Sequence, residues 1–264
     1  MKASFVFICL LTFIGLSNAQ SSHRFEYAEP ESKGYSTEKI DLLRAHLEQS
    51  GSSSMIVMVD GAIIFEWGES SKKLVVHSMR KALLNSLFGI AIQRAQIDTN
   101  MTLKSLQIEE VEPGLTELEL EARIADLLKS RSGVYHNAAA VNNGMLRDRP
   151  ERGTYKPGEY YYYNNWDFNV LGAILEKQTG KSIYELFYDD VAKPLGMHDY
   201  EGKYIRIDAE AEDVDIPQTD GFYQYEKSQS IFPAYHFRMS ARDLALYGQI
   251  IPELWSMEWT TDSD

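Results

Sequence analysis

Thiols are almost absent from this chain: among its 264 residues there is one cysteine, Cys9, and it lies in an apolar leader. Lys2, the apolar stretch Phe5 to Leu16 and the small residues Ser17 and Ala19 give residues 1–19 the form of a secretory signal peptide cleaved near Ala19. The mature chain, 20–264, then carries no thiol, which excludes disulfides and cysteine catalysis together. The leader's apolar run is too short to cross a bilayer, so no stable membrane span is expected in the mature chain. Positive charge is also scarce. Against 39 Asp and Glu stand 26 Lys and Arg, a net charge of -13 with the acidic residues spread along the chain. That balance argues against a nucleic acid or an anionic membrane as partner. His23, His46, His198 and His236 lack metal spacing such as H-x-x-x-H, so neither a metal nor a cofactor is expected.

What is present is a globular chain, 44% hydrophobic, without repeats or low-complexity tracts. Its periodicity predicts helices from Thr37 to Gln49, through Ala82 to Ala95, over Ile124 to Leu128, Phe168 to Gln178 closed by Gly180, and Ile183 to Ala192. A last helix should follow Ser240 as its cap and run through Tyr247. Met55 to Val59 and Ala62 to Trp67 flank Asp60-Gly61, a dipeptide suited to a type I′ hairpin turn. The acidic, aperiodic segment from Tyr204 to Tyr225 reads as a long surface loop. One hairpin among many helices favours an α+β fold over a parallel α/β sheet, in a single domain.

One charge stands where burial should forbid it. Lys81 opens the strongly apolar helix of Leu83, Leu84, Leu87, Phe88, Ile90 and Ile92, and Ser78 lies three residues earlier on the same face. An amine kept neutral by desolvation can take a proton from a serine, which is a weak nucleophile unaided. Two further S-x-x-K runs, Ser36 to Lys39 and Ser70 to Lys73, sit in polar surroundings and read as caps or solvated surface. For Ser78 the plain alternative is an N-cap serine followed by a snorkelling lysine.

A second unusual run, Tyr160 to Tyr163 with Asn164 and Asn165, follows the Pro157-Gly158 break. Four tyrosines in a row fit a strand or loop covered on both faces. One phenol beside a lysine can also relay protons to or from a serine oxygen, and an asparagine two residues on can orient a substrate carbonyl or a lysine. Three Y-x-N pairs qualify: Tyr163 with Asn165, Tyr162 with Asn164, and Tyr135 with Asn137. His77 and His136 read as ordinary polar residues, with His136 in a loop that can line a cleft, and Asp126 and Asp243 as structural carboxylates.

Taken in order, Ser78-Met79-Arg80-Lys81, Ile124-Ala125-Asp126-Leu127-Leu128 with Ser132-Gly133-Val134, Pro157-Gly158 ahead of Tyr163-Asn164-Asn165, Leu171-Gly172, Pro194-Leu195-Gly196-Met197 and Ser240-Ala241-Arg242-Asp243-Leu244 resemble the serine β-lactamase-related family. That family includes class C β-lactamases, DD-peptidases and family VIII esterases. The resemblance spans about Ser53 to Gly248 and implies a β-lactamase/transpeptidase-like fold, a helical lobe plus a small antiparallel sheet. It implies acyl transfer on Ser78, with Lys81 and Tyr163 moving protons, Asn165 binding substrate and the Ser78 backbone N–H as one oxyanion donor. Which of lysine and tyrosine is the base stays open. The following Phe168 and Leu171-Gly172 select Tyr163 over the other two tyrosines.

Members of the family carry a K-T-G or H-x-G strand beside the serine, and neither pattern occurs here. The chain ends at Asp264, and Leu246-Tyr247-Gly248-Gln249 runs straight into Ile250-Ile251-Pro252-Glu253-Leu254-Trp255, which relatives separate. A C-terminally truncated domain with an incomplete sheet and an impaired oxyanion hole is therefore expected. The readings left open are a secreted or periplasmic serine hydrolase with a small-molecule or peptide substrate, a non-catalytic descendant that binds cell-wall peptide or another ligand, and a secreted interaction protein with a tyrosine patch. Oligomeric state is not legible.

Overall fold

The computed structural model describes residues 25–211 and 218–256. The expected signal peptide, the middle of the acidic segment and the last eight residues lie outside the described residues. In chain order the elements are β1 (Glu26–Tyr27), α1 (Thr37–Leu47), β2 (Ser54–Val59), β3 (Ala62–Gly68), β4 (Leu74–Val75), α2 (Arg80–Gln93), α3 (Glu117–Leu120), α4 (Ile124–Leu128) and α5 (Asn143–Arg147). They continue with α6 (Trp166–Thr179), α7 (Ile183–Phe187), β5 (Tyr204–Asp208), β6 (Gly221–Tyr225), β7 (Ala234–Met239) and α8 (Ala241–Ser256).

The α+β class holds, with local chemistry setting most boundaries. Ser36 Oγ accepts the Lys39 N–H at the start of α1, and Ser182 and Glu185 form a reciprocal cap on α7. Gly180 ends α6 in the left-handed conformation, at φ 73°. Asp60 and Gly61 both take positive φ, 46° and 80°, as a two-residue turn between twisted strands requires. Ser240 Oγ accepts the Asp243 N–H and so caps α8.

Among the described residues the strands form two sheets of mixed direction, larger than the small antiparallel sheet expected. One has the order β1-β3-β2, with β1 parallel to β3; the other runs β4-β7-β6-β5, with β5 parallel to β6. The segment read as a long surface loop from Tyr204 to Tyr225 therefore contains two strands, paired Tyr204 to Gly221 through Asp208 to Tyr225. Its acidic residues masked the strand signal. Tyr204 stacks on the buried Tyr184 ring at 4.9 Å and Tyr223 meets the same ring edge-on at 5.0 Å. Aromatic packing on α7 thus fixes a pair of strands that the local sequence does not announce.

Helices α2 and α6 form the centre. Leu83, Leu84, Leu87 and Phe88 of α2 are buried with Val170, Leu171, Ile174 and Leu175 of α6 and with Phe187 and Phe237. Each such side chain contributes about 1.5–3 kcal/mol of burial. Helix α6 lies close on β7 because Gly172 has no side chain: a Cβ there would sit 3.1 Å from the Tyr235 ring.

At the head of β6, Gly221 has even less room, since a Cβ would overlap the Tyr184 ring and lie 2.7 Å from the His236 carbonyl oxygen. Gly221→Ala should cost about 2 kcal/mol or more through overpacking, read as a lowered thermal midpoint. An unchanged midpoint contradicts this packing.

Candidate active site

Strand β4 delivers the chain to the site. It pairs with β7, Leu74 to Met239 and Val75 to Arg238, and the Val76 N–H continues the ladder to the Phe237 carbonyl. His77 then takes φ 44°, a left-handed conformation that costs a non-glycine residue about 1–3 kcal/mol. The sharp turn that results, a 3-10 turn over His77–Met79, puts Ser78 at an exposed tip. Ser78 does not cap α2 with its side chain; Met79 holds the N-cap position and Arg80 is the first helical residue. The N-cap role considered for this serine is therefore not the one it plays.

Lys81 points the other way, into the protein, and is only 8% exposed. Its Nζ donates to Asn165 Oδ1 at 2.9 Å and lies over two rings, 4.6 Å from the centre of Tyr163 and 5.1 Å from that of Phe168. Burial, and then the neighbouring Arg80 charge, hold the Lys81 amine down at about 7. Asn165 is fixed from both sides, because its Nδ2 donates to the Ala140 carbonyl at 2.5 Å. Its oxygen is thus aimed at lysine, one of the two tasks considered for it.

Tyr163 joins the two halves: its Oη donates to Ser78 Oγ at 2.8 Å while its ring covers the Lys81 amine. The other Y-x-N candidates are engaged elsewhere. Tyr162 Oη donates to the Met145 carbonyl at 2.6 Å, and Tyr135 packs edge-on against Tyr162 at 5.6 Å. The tyrosine run is a loop and is not covered on both faces, since Tyr160 and Tyr161 are exposed. With Asn142, Met145 and Asp148 it lines a cavity of about 400 Å³ that reaches Tyr163.

Below this surface, α6 begins on a polar network. Asp167 is fully buried, accepts the Ser132 hydroxyl at 2.6 Å, and leaves its second oxygen without a partner. Burial pushes its carboxyl up to about 7, although the Ser132 hydrogen bond opposes this. The loop from Ser130 to Val134 is thereby tied to α6 and, through Tyr162 N–H to the Ser130 carbonyl, to the tyrosine run. Asp126 caps α4 through the Arg123 N–H, and Asp243 accepts the N–H groups of His198, Asp199 and Tyr200. His136 bonds the Asn137 and Val111 carbonyls and lines a separate cavity of about 160 Å³. Among the described residues no cluster of three or more His, Cys, Asp or Glu is arranged to hold a metal, and no helix is long and apolar enough to cross a membrane.

Sequence reasoning passed over Arg80. It is 3% exposed, and its guanidinium reaches Asn165 Oδ1 at 3.4 Å and Asn169 Oδ1 at 3.2 Å beneath the Tyr235 ring. An arginine directly beside a buried lysine was the one available signal.

Solved structures share this architecture at low identity. A protein assigned as a 6-aminohexanoate-dimer hydrolase from Bacillus anthracis aligns with a TM-score of 0.59 and 15% identity over 87% of this chain and 62% of its own. FmtA from Staphylococcus aureus gives 0.56 and 16% over 87% and 69%, and a class C beta-lactamase 0.53 and 16% over 80% and 65%. The beta-lactamase family model matches residues 43–262, and the chain belongs to that family. A protein assigned as a D-alanyl-D-alanine carboxypeptidase in Escherichia coli K12 is 22% identical over 237 residues, which cover 75% of this chain. The chain spans about half the length of the curated relatives it matches, 55% in this case.

The Asp167 network has a pH signature. Its folded-state value lies above the ordinary 3.8, so the native state binds the extra proton between about 4 and 7, and stability falls as pH rises through that window. Asp167→Asn should flatten this slope in denaturant titrations and exceed the parent in stability at pH 8. A variant with the parental slope contradicts the assignment.

Proposed function

We propose that the chain is a serine hydrolase that cleaves an ester, amide or peptide bond through an acyl-enzyme on Ser78. The observation that carries the reading is the Tyr163 phenol, 2.8 Å from an exposed serine hydroxyl and stacked over a buried lysine amine. Attack by Ser78 Oγ on a carbonyl carbon forms the new C–O bond and displaces electrons onto the carbonyl oxygen. The serine proton ends on the neutral Lys81 amine; to relay it, Tyr163, which donates to Ser78 Oγ at rest, turns its own proton toward the amine and accepts the one from the serine. The 2.8 Å contact puts the phenol within reach of the serine, while Lys81 Nζ bonds Asn165 and lies over the Tyr163 ring. The proton then returns to the leaving group, and water attacks the acyl-serine by the reverse path.

In this reading Asn165 holds Lys81 in place, and the Ser78 N–H at the head of α2 is one donor to the oxyanion. The tyrosine-lined cavity receives the substrate, a small molecule or a peptide. The leader-like residues 1–19 support a secreted or periplasmic location. A second reading, a non-catalytic ligand-binding descendant of the same fold, uses the same tyrosine-lined cavity with the serine unreactive.

An alkyl fluorophosphonate separates the two. Mass spectrometry should find one adduct on Ser78, none in Ser78→Ala, and labelling at least about a hundred-fold slower in Lys81→Met. Absence of an adduct from the folded parent protein rules out the hydrolase reading.

A further inference from the structure

Two cations meet inside this protein without a carboxylate between them. Arg80 and Lys81 both donate to the one oxygen Asn165 Oδ1, at 3.4 Å and 2.9 Å. Arg80 has a second amide acceptor, Asn169 Oδ1 at 3.2 Å, and its guanidinium lies 4.2 Å from the centre of the Tyr235 ring. Both bonds come from Nη2, and Nη1 is buried without a hydrogen-bond partner. Among the described residues neither cation forms an ion pair.

The titratable groups on the elements packed against α2 do not neutralise them. On α6, Asp167 accepts the Ser132 hydroxyl and Glu176 the Tyr223 hydroxyl. Tyr184 on α7 is bonded to the Phe222 and His236 carbonyls, and Tyr247 on α8 to Ser86 and the Ala82 carbonyl. On β7, Tyr235 faces Arg80 with its ring, and the His236 imidazole stacks on Phe222 at 4.5 Å. His77 is exposed in the turn before the helix.

A buried guanidinium keeps its proton, whereas a buried ammonium gives one up readily. Where two like charges share one acceptor out of water, the amine is the group that yields. We propose that Arg80 is a positioning residue whose fixed charge, clamped by Asn169 and Tyr235, holds the Lys81 amine in its neutral, proton-accepting form. The inference rests on the hydrolase reading for its purpose, but not for its test. The Arg80 guanidinium has no hydrogen bond to the Ser78 hydroxyl and does not line the tyrosine-lined cavity; it meets the site through Asn165 and Lys81. Its burial without a countercharge is the cost of keeping that lysine ready, an instance of a function-bearing group being held at the expense of stability.

The test is the titration of Lys81 itself, followed by NMR in protein carrying 13C-labelled lysine, with the signal assigned by its loss in Lys81→Met. The parent should titrate near pH 7. Arg80→Gln, which removes the charge, should move the midpoint upward by about one pH unit. Arg80→Met, which removes the charge but keeps an unbranched stem beneath the Tyr235 ring, should move the midpoint in the same direction; this variant carries the test if Arg80→Gln does not fold. An arginine that only braced the helix would lower thermal stability and leave the midpoint where it was. A midpoint unmoved in a folded variant of either kind overturns the proposal. Because the titration reads Lys81 whether or not Ser78 acylates, failure here is distinct from failure of the hydrolase reading, which shows as a missing Ser78 adduct.

Discussion

Burial of one amine is the constraint on which the rest of the structure depends. An ammonium out of water without a carboxylate partner is costly, and the protein meets that cost by letting the proton leave. Burial beneath the Tyr163 and Phe168 side chains and the permanent Arg80 charge beside it work toward this, against the ring faces and the Asn165 oxygen, which favour the ammonium. The amine is thereby held near neutrality at about 7. A surface lysine three residues beyond a serine, such as Lys39 after Ser36, has none of this, and the same spacing there amounts to a helix cap.

The fold supplies these surroundings from segments far apart in sequence. Helix α2 brings Lys81 and Arg80, the start of α6 brings Asn165, Phe168 and Asn169, β7 brings Tyr235, and the loop before α5 brings the Ala140 carbonyl that orients Asn165. Gly172 lets α6 approach β7 closely enough for Tyr235 to reach the guanidinium. Strain and support divide between the two sides of the site. The serine side is carried by the left-handed His77 and by the β4–β7 ladder; the tyrosine side is carried by hydrogen bonds from the Asp167 and Ser132 network. Neither side is rigid by local preference alone.

Features with a short-range cause were legible in the sequence. The α2 and α6 helices follow from apolar periodicity, Ser36 and Ser240 from capping chemistry, the β2–β3 hairpin from Asp60-Gly61, and the end of α6 from Gly180. The ordered landmarks from Ser78 to Leu244 carried the family. What escaped depends on contacts across the chain. Strands β5 and β6 exist because Tyr204 and Tyr223 pack on Tyr184, and an acidic local composition gives no hint of that. Arg80 read as part of a motif, since nothing nearby announces that Asn169 and Tyr235 will enclose it. The exposed Tyr160 and Tyr161 read as packing residues because four tyrosines in a row have no periodicity that could sort them.

The account makes the reactivity of Ser78 a property of the protonation state of Lys81, and the pH dependence of serine labelling tests that most directly. With an amine that loses its proton near 7, the second-order rate of phosphonate labelling at Ser78 should climb about tenfold per pH unit below 7 and level off above it. A rate independent of pH across this range, or one that keeps climbing until about pH 10 as an ordinary solvated lysine would dictate, contradicts the account.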